Sequence, residues 1–308
     1  TKVCDITSGS ATFAIEFGNY LVQSTPLEEV NDKIEFYLQE KEGQTLVLGE
    51  AGLLLTGFEN LNAFHGNTLL NYNENIGQFR TMMDYFVGNP PYGVKILQKD
   101  DYEKILRLEE PRWDYGYPPK SELEWFFVQT ALDMLSEKGK GMMVLPLGVL
   151  FKKNSRKLMI EEDIIEGIVT LPGNMFQTTG IPTCMVFFNK NKDVKDKNKI
   201  FMINNSEDFV KVDKYNTIDH DKLIKNYIER ITEEGFSGYI EFSEVKENDF
   251  NVSTQRYIFK DEPEEIIDIV KLNDDSIVID KSIKLKGKIL GSIFDTVIAL
   301  QKSNIETK

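Results

Sequence analysis

The chain has 308 residues, 41% hydrophobic and 28% charged, which is the balance of a soluble globular protein large enough to bury a sizeable core. A net charge of −14 argues against a protein that grips nucleic acid unaided, although a charge total leaves room for a local basic groove. Two cysteines and two histidines without ligand spacing argue against a zinc site, a His-based triad or a disulfide framework, so a reduced cytoplasmic protein without metal is expected.

No apolar run approaches the roughly 18–20 residues of a membrane span, so no membrane partner is expected. The start at Thr1 reads as a cut chain rather than a targeting signal. Residues 2–15 read as strand, small-residue turn and helix. Asp5 falls near the strand end, Ser8, Gly9 and Ser10 in the turn, and Ala14, Ile15, Phe17 and Leu21 at apolar helix positions. A doubly wound sheet opens a nucleotide-type site in this way, with turn N–H groups approaching a ligand. With one glycine, the same stretch fits a plain βα turn equally well.

Residues 33–40 read as a second strand with the Glu40 carboxylate at its end, where it suits ribose hydroxyls or simply solvent. An apolar helix over 46–58 follows, then a short third strand and turn over 61–69 with the Asn67 amide just past the strand. His65 in that run reads as a half-buried strand residue, because no other ligand type accompanies it.

Residues 82–87 form a fourth apolar run, stopped by Gly88 and by Asn89-Pro90-Pro91-Tyr92. An Asn oxygen and a proline carbonyl can both accept from an exocyclic amine. Proline has no backbone N–H to compete and fixes the chain direction, and the tyrosine ring can stack on a flat heterocycle. The tetrapeptide alone also fits an ordinary turn.

Residues 93–119 read as a long connection of little periodicity, with Trp113, Tyr115 and Tyr117 in it; long ordered loops are usually functional. Ser121 and Glu124 have capping-box spacing for a helix through Trp125, Val128, Leu132 and Leu135 that ends near Lys138 and Gly139. Strands follow at 141–147, 164–171 and 183–188, with a helix at 154–162. The alternation predicts an α/β fold, a doubly wound and mostly parallel sheet with helices on both faces. Residues 189–199 read as a solvated turn or hairpin, 200–203 as a strand, 220–232 as an amphipathic helix and 261–265 as a linker. Short apolar runs occur within 267–300.

Four strand ends thus carry, in order, a Gly-containing turn, a carboxylate, an amide and Asn89-Pro90-Pro91-Tyr92. In an open parallel sheet these can line one crevice, a nucleoside-like site beside a site for an amino-bearing base. Here the chain resembles the N6-adenine DNA methyltransferases, specifically the modification subunits of type I restriction-modification systems. The likeness extends to Arg112-Trp113-Asp114-Tyr115-Gly116, to Glu124-Trp125-Phe126-Phe127, to the stretches 141–151 and 171–183, and to Glu247-Asn248-Asp249-Phe250-Asn251 and Gln255-Arg256-Tyr257. It covers about residues 2–257.

The resemblance implies a catalytic-type domain over 1–257, of the Rossmann-like S-adenosylmethionine-dependent class, and a partner-contacting extension over 258–308. It implies methyl transfer from S-adenosyl-L-methionine to the N6 amino group of adenine in duplex DNA, alongside specificity and restriction subunits. Asp5, Ser8, Gly9 and Ser10 would line the cofactor pocket, with Glu40 on the ribose and Asn67 near the cofactor adenine. Within the catalytic stretch Asn89, Pro90, Pro91 and Tyr92, Asn89 and Pro90 would hold the target amine, with Tyr92 stacked on the flipped ring and Phe176 either on its opposite face or in the core. Ile6 and Ala11 stand where the family usually has Pro and Gly, and Asn67 where a carboxylate is usual. The family also carries a helical amino-terminal domain ahead of this sheet, and the sequence starts at the first strand. The alternative expectation is therefore a catalytically impaired subunit acting in assembly or in DNA or partner binding. A dinucleotide dehydrogenase shares the sheet but leaves Asn89-Pro90-Pro91-Tyr92 without a job.

Overall fold

The computed structural model describes residues 1–93, 99–108, 111–151, 156–176 and 180–260. The expected linker at 261–265, the apolar runs within 267–300 and the extension from 261 onward lie outside the described residues. The first half of the chain runs β1 (Lys2–Asp5), α1 (Thr12–Val22), α2 (Leu27–Lys33), β2 (Glu35–Glu40), α3 (Gly43–Leu55), β3 (Leu61–His65), β4 (Met83–Gly88), α4 (Lys99–Arg107), α5 (Glu124–Met134) and β5 (Leu135–Pro146). The second half runs α6 (Arg156–Glu161), β6 (Ile165–Thr170), β7 (Thr183–Asn189), β8 (Lys199–Asn204), β9 (Val210–Val212), β10 (Tyr215–Thr217), α7 (His220–Glu229), β11 (Ser237–Glu241) and α8 (Phe242–Glu247).

Among the described residues one sheet has the order β11-β8-β6-β7-β5-β4-β1-β2-β3. The strands from β3 to β5 are parallel; β7 is antiparallel to both β5 and β6, and β11 is antiparallel to β8. Side chains on neighbouring positions of a strand point to opposite faces. Val3, Phe36 and Leu38 accordingly pack with Ala14 of α1 and Leu46 and Leu53 of α3. Their neighbours Cys4 and Tyr37, together with Phe86, pack with Trp125, Phe126 and Val128 of α5. At the other end of the sheet Val169, Phe201 and Ile203 pack with Leu223 of α7. The mostly parallel, doubly wound sheet expected from the alternation is present.

Four local expectations are corrected. The 93–119 connection contains α4, whose first turn carries Asp100 and Asp101 and whose last turn carries Lys104 and Arg107, charges that complement the helix dipole while hiding the apolar signal. The capping box does not form: α5 starts at Glu124, Leu123 occupies the capping position, and no side chain caps it. The helix also ends at Met134 rather than near Lys138, because Leu135 is extended (φ −70°, ψ 136°) and pairs with Met83. Within 189–199, Lys192 is buried; its ammonium donates to Asp163 and, at 3.0 Å, to the Lys199 carbonyl, so this turn is not simply solvated. The helix α2, the small β9–β10 hairpin, β11 and α8 carried no distinct signal in the sequence reading.

Gly141 lies opposite Phe86 across the β4–β5 ladder. A Cβ there would stand 2.2 Å from a carbon of the Phe86 ring, which is itself buried against Phe188. Gly141→Ala should therefore destabilise the domain by about 1–3 kcal/mol through overpacking. Urea unfolding checks this, and an unchanged midpoint would show that the ring has somewhere else to go.

Candidate active site

The strand order reverses at the β1–β4 pair, since β2 and β3 extend the sheet to one side and β5 to the other. Such a reversal leaves a crevice outside the carboxyl ends of the two strands. Asp5, the last residue of β1, is buried in that seam. A Cβ on Gly88, the last residue of β4, would stand 3.6 Å from Asp5 Oδ1 and 3.5 Å from Thr7 Oγ1. The Thr7 backbone N–H donates to Asp5 Oδ1 at 2.9 Å, and the Thr7 hydroxyl donates at 3.5 Å. Burial pushes the Asp5 carboxyl up to about 7; the Thr7 hydrogen bonds pull against this and the Glu40 charge adds to it.

The following turn is tied to the end of β2. Ser8 N–H donates to the Gln39 carbonyl at 3.0 Å and Gly9 N–H to Glu40 Oε2 at 2.9 Å. Glu40 Oε1 accepts from Glu42 N–H at 2.9 Å, so one carboxylate fastens two loops. The N–H groups of Ser8 and Gly9, expected to approach a ligand, are thus bonded within the protein, because the end of β2 presents two acceptors to them. The Ser8 hydroxyl remains: it is buried, with no hydrogen-bond partner among the described residues. Gly9 has φ +52° and open space where a Cβ would stand. Ser10 is exposed, its hydroxyl 3.3 Å from that of Thr12. Ala11 precedes α1 in the left-handed region (φ 59°, ψ 24°), a conformation that costs an alanine roughly 1–2 kcal/mol. It is held there by α3: a Cβ on Gly49 would be only 3.0 Å from the Ala11 methyl.

The turn after β3 joins the same cluster. Gly66 N–H donates to the Glu40 carbonyl at 3.0 Å, and the Thr68 hydroxyl donates to the Ile6 carbonyl. Asn67 uses its side-chain oxygen to accept from Leu69 N–H at 3.0 Å, which shapes the turn and leaves the amide N–H groups as its donors. His65 is exposed rather than half-buried, with Nε2 3.0 Å from the Lys41 carbonyl. Among the described residues no cluster of three or more His, Cys, Asp or Glu could hold a metal ion.

After β4, Asn89 and Pro91 are exposed, Pro90 is buried and Tyr92 is half-buried. The Tyr92 hydroxyl donates to Asn89 Oδ1 and lies 3.5 Å from the Val144 carbonyl of β5. Burial is the main cause that pushes the phenol above its usual range, so it stays protonated. Gly93 (φ +76°) donates its N–H to Oε1 of the buried Glu124 at 3.0 Å. Phe176 is half-buried in the turn after β6, with β5 and β7 between it and β4. Among the described residues no hydrogen bond or ring contact joins it to Asn89 or Tyr92.

Hydrogen bonds thus bring Gly9, Glu40 and the Asn67 turn together, Asp5 with Thr7, and Asn89 with Tyr92. Ser10 faces outward and Phe176 stands apart. Sequence reasoning missed Thr7 and misassigned Glu124. The Gly93 bond of Glu124 has a sequence trace only in the positive-φ glycine that follows the tetrapeptide.

The chain has known relatives. The model of the N-6 DNA methylase family matches residues 1–266. The type I restriction enzyme MjaVII methylase subunit of Methanocaldococcus jannaschii is 31% identical over 286 residues, spanning 88% of this chain and 48% of that protein. The crystal structure of a type I restriction-modification methyltransferase subunit from Streptococcus thermophilus superposes with a TM-score of 0.73 at 26% identity, covering 84% of this chain and 54% of that one. A putative class I S-adenosylmethionine-dependent methyltransferase from Listeria monocytogenes shares the fold at a TM-score of 0.51 and 17% identity. The chain spans about half the length of the curated relatives it matches. The sheet is that of the S-adenosylmethionine-dependent methyltransferases, and the chain belongs to the N-6 DNA methylase family.

Proposed function

We propose that this chain is the methyl-transfer domain of a type I modification subunit, acting on the N6 amino group of adenine in DNA. The observation that carries the reading is the β1–β4 reversal, in which the end of β1 at Asp5 lies beside the end of β4 that leads into Asn89-Pro90-Pro91-Tyr92. The residues fit S-adenosylmethionine: an orphaned buried hydroxyl at Ser8, open space at Gly9, and carboxylates at Asp5 and Glu40 suited to a cationic, hydroxyl-bearing molecule. When bound, that cofactor supplies an electrophilic methyl group on a sulfonium.

The chain's own residues supply position and charge. Glu40 keeps lone pairs for ribose hydroxyls while fastening Gly9 and Glu42, and Asn67 offers amide donors to the cofactor adenine. Asn89 Oδ1 and the Pro90 carbonyl accept the two hydrogens of the target amine. This favours a tetrahedral nitrogen whose lone pair is no longer shared with the ring. Tyr92 stacks on a base that has left the duplex, with Phe176 a candidate for its other face. The net charge of −14 fits a catalytic subunit that leaves most of the phosphate grip to a specificity subunit, with a restriction subunit as further partner.

One observation favours a second reading, a subunit retained for assembly: the Ser8 and Gly9 N–H groups are already bonded within the protein. Calorimetry with S-adenosylmethionine separates the two, since saturable binding is expected for the enzyme and none for the assembly subunit.

Within the assembled system, Asn89→Ala should lower methyl incorporation into DNA by about a hundredfold or more while cofactor affinity stays near that of the parent. Labelled methyl transfer measures this, and undiminished incorporation would remove Asn89 from its role. Asp5 generates a pH prediction. Its folded value of about 7 lies above the ~3.9 of an unfolded aspartate, so its contribution to stability is full below about pH 4 and is lost as pH rises through about 7. A cationic cofactor favours the ionised form, so affinity should rise from about pH 6 to about pH 8 in the parent and stay flat in Asp5→Asn. Equal pH slopes for the two proteins in calorimetry would assign the dependence to another group.

A further inference from the structure

Arg112 has no role in the functional reading so far, yet it is buried at 3% exposure. Its guanidinium contacts two rings, 4.5 Å from the Tyr72 centroid and 4.3 Å from that of Trp113. Nη1 donates to the Thr68 carbonyl at 3.0 Å and to the Thr130 hydroxyl at 3.3 Å, and Nη2 donates to the Leu69 carbonyl at 2.7 Å. Thr68 and Leu69 directly follow Asn67, and Leu69 returns its N–H to the Asn67 side chain at 3.0 Å. The peptide whose N–H bonds the Asn67 side chain, that between Thr68 and Leu69, and the peptide after it are therefore both held through their carbonyls by one buried guanidinium.

The other end of the connection leads to the target-base loop. Arg112 belongs to the segment between Tyr92 and α5, and three residues of α5 hold that segment. Gln129 accepts from Tyr115 N–H at 3.2 Å and donates to the Gly116 carbonyl at 2.8 Å, while Glu124 accepts from Gly93 N–H at 3.0 Å. Thr130, which accepts from Arg112, lies on the same helix. We propose that Arg112 is a positioning residue that orients Asn67 toward the cofactor's adenine and ties that turn to α5, the helix that anchors the end of the target-base loop at Gly93. This rests on the functional reading above and deepens it.

The residue type is demanding. A planar guanidinium can lie against two rings and still donate to the Thr68 and Leu69 carbonyls and the Thr130 hydroxyl, whereas an ammonium is a strongly hydrated point charge without the fork. Methionine would fill much of the volume and leave two buried carbonyls without donors.

The test is a double-mutant cycle on the full chain, with S-adenosylhomocysteine as the calorimetric probe and circular dichroism to establish folding. Arg112→Met and Asn67→Ala should each weaken binding by about tenfold, and the double variant should bind within about twofold of the weaker single one, because both remove the same contact. Arg112→Lys should recover only part of the loss. If Arg112→Met does not fold, Thr130→Val, which removes one acceptor, replaces it in the cycle with an expected loss of about threefold. Losses that multiply in the double variant, or a folded arginine variant that binds like the parent, overturn the positioning role and leave the functional reading standing. A parent chain that shows no binding overturns both.

Discussion

The burial of the Asp5 carboxyl in the seam between β1 and β4 is the constraint on which the rest of the site depends. A carboxyl placed there needs donors, which Thr7 supplies from its own backbone and hydroxyl. Asp5 and Gly88 are the last residues of β1 and β4, and the two strands stop side by side. Once they stop there, the chain after β1 must turn toward β2, and the chain after β4 must turn away from it. A crevice with different walls follows from strand order alone.

Each wall is then fastened in the same manner. Gly9 and Gly93 both have positive φ, and each donates its N–H to a carboxylate on a neighbouring element, Glu40 at the end of β2 and Glu124 at the start of α5. The two loops that would face ligands are thus positioned by groups on regular secondary structure rather than by their own packing, which is how a site keeps its geometry. Ala11 shows the counter-example. Its strained backbone is maintained by the close approach of Gly49, so packing from α3 sets the entry to α1 where no side chain caps the helix.

Much of this was legible in the sequence. The strands β1 to β4 announce themselves as short runs rich in apolar residues, and Asp5, Glu40, Asn67 and Asn89 fall at or just past their ends by position alone. What the sequence concealed has physical causes. Leu135 continues the apolar spacing of α5 and also suits a strand, and only its pairing with Met83 decides. Glu124 has the spacing of a capping residue, but a backbone N–H thirty-one residues away competes for its oxygen. Ser8 and Gly9 were expected to offer their N–H groups outward, and β2 takes them instead. Arg112 was visible as part of a motif, but the Thr68 and Leu69 carbonyls and the Thr130 hydroxyl that accept from it lie on two separate segments that no local pattern connects.

The bond from the Tyr92 hydroxyl to Asn89 Oδ1 bears on selectivity. That oxygen never stands bare: it has a resident donor, and anything that enters either shares the second lone pair or exchanges with the phenol. An exchange of like for like yields little net free energy, about 0.5–1.5 kcal/mol at most. A ring edge that presents a carbonyl instead brings oxygen against oxygen, with no donor to offer and a desolvated acceptor left opposite it. Discrimination at this position would therefore come less from attraction to an amino group than from rejection of an oxo group, and the tyrosine that fills the place meanwhile keeps the amide turned the right way round.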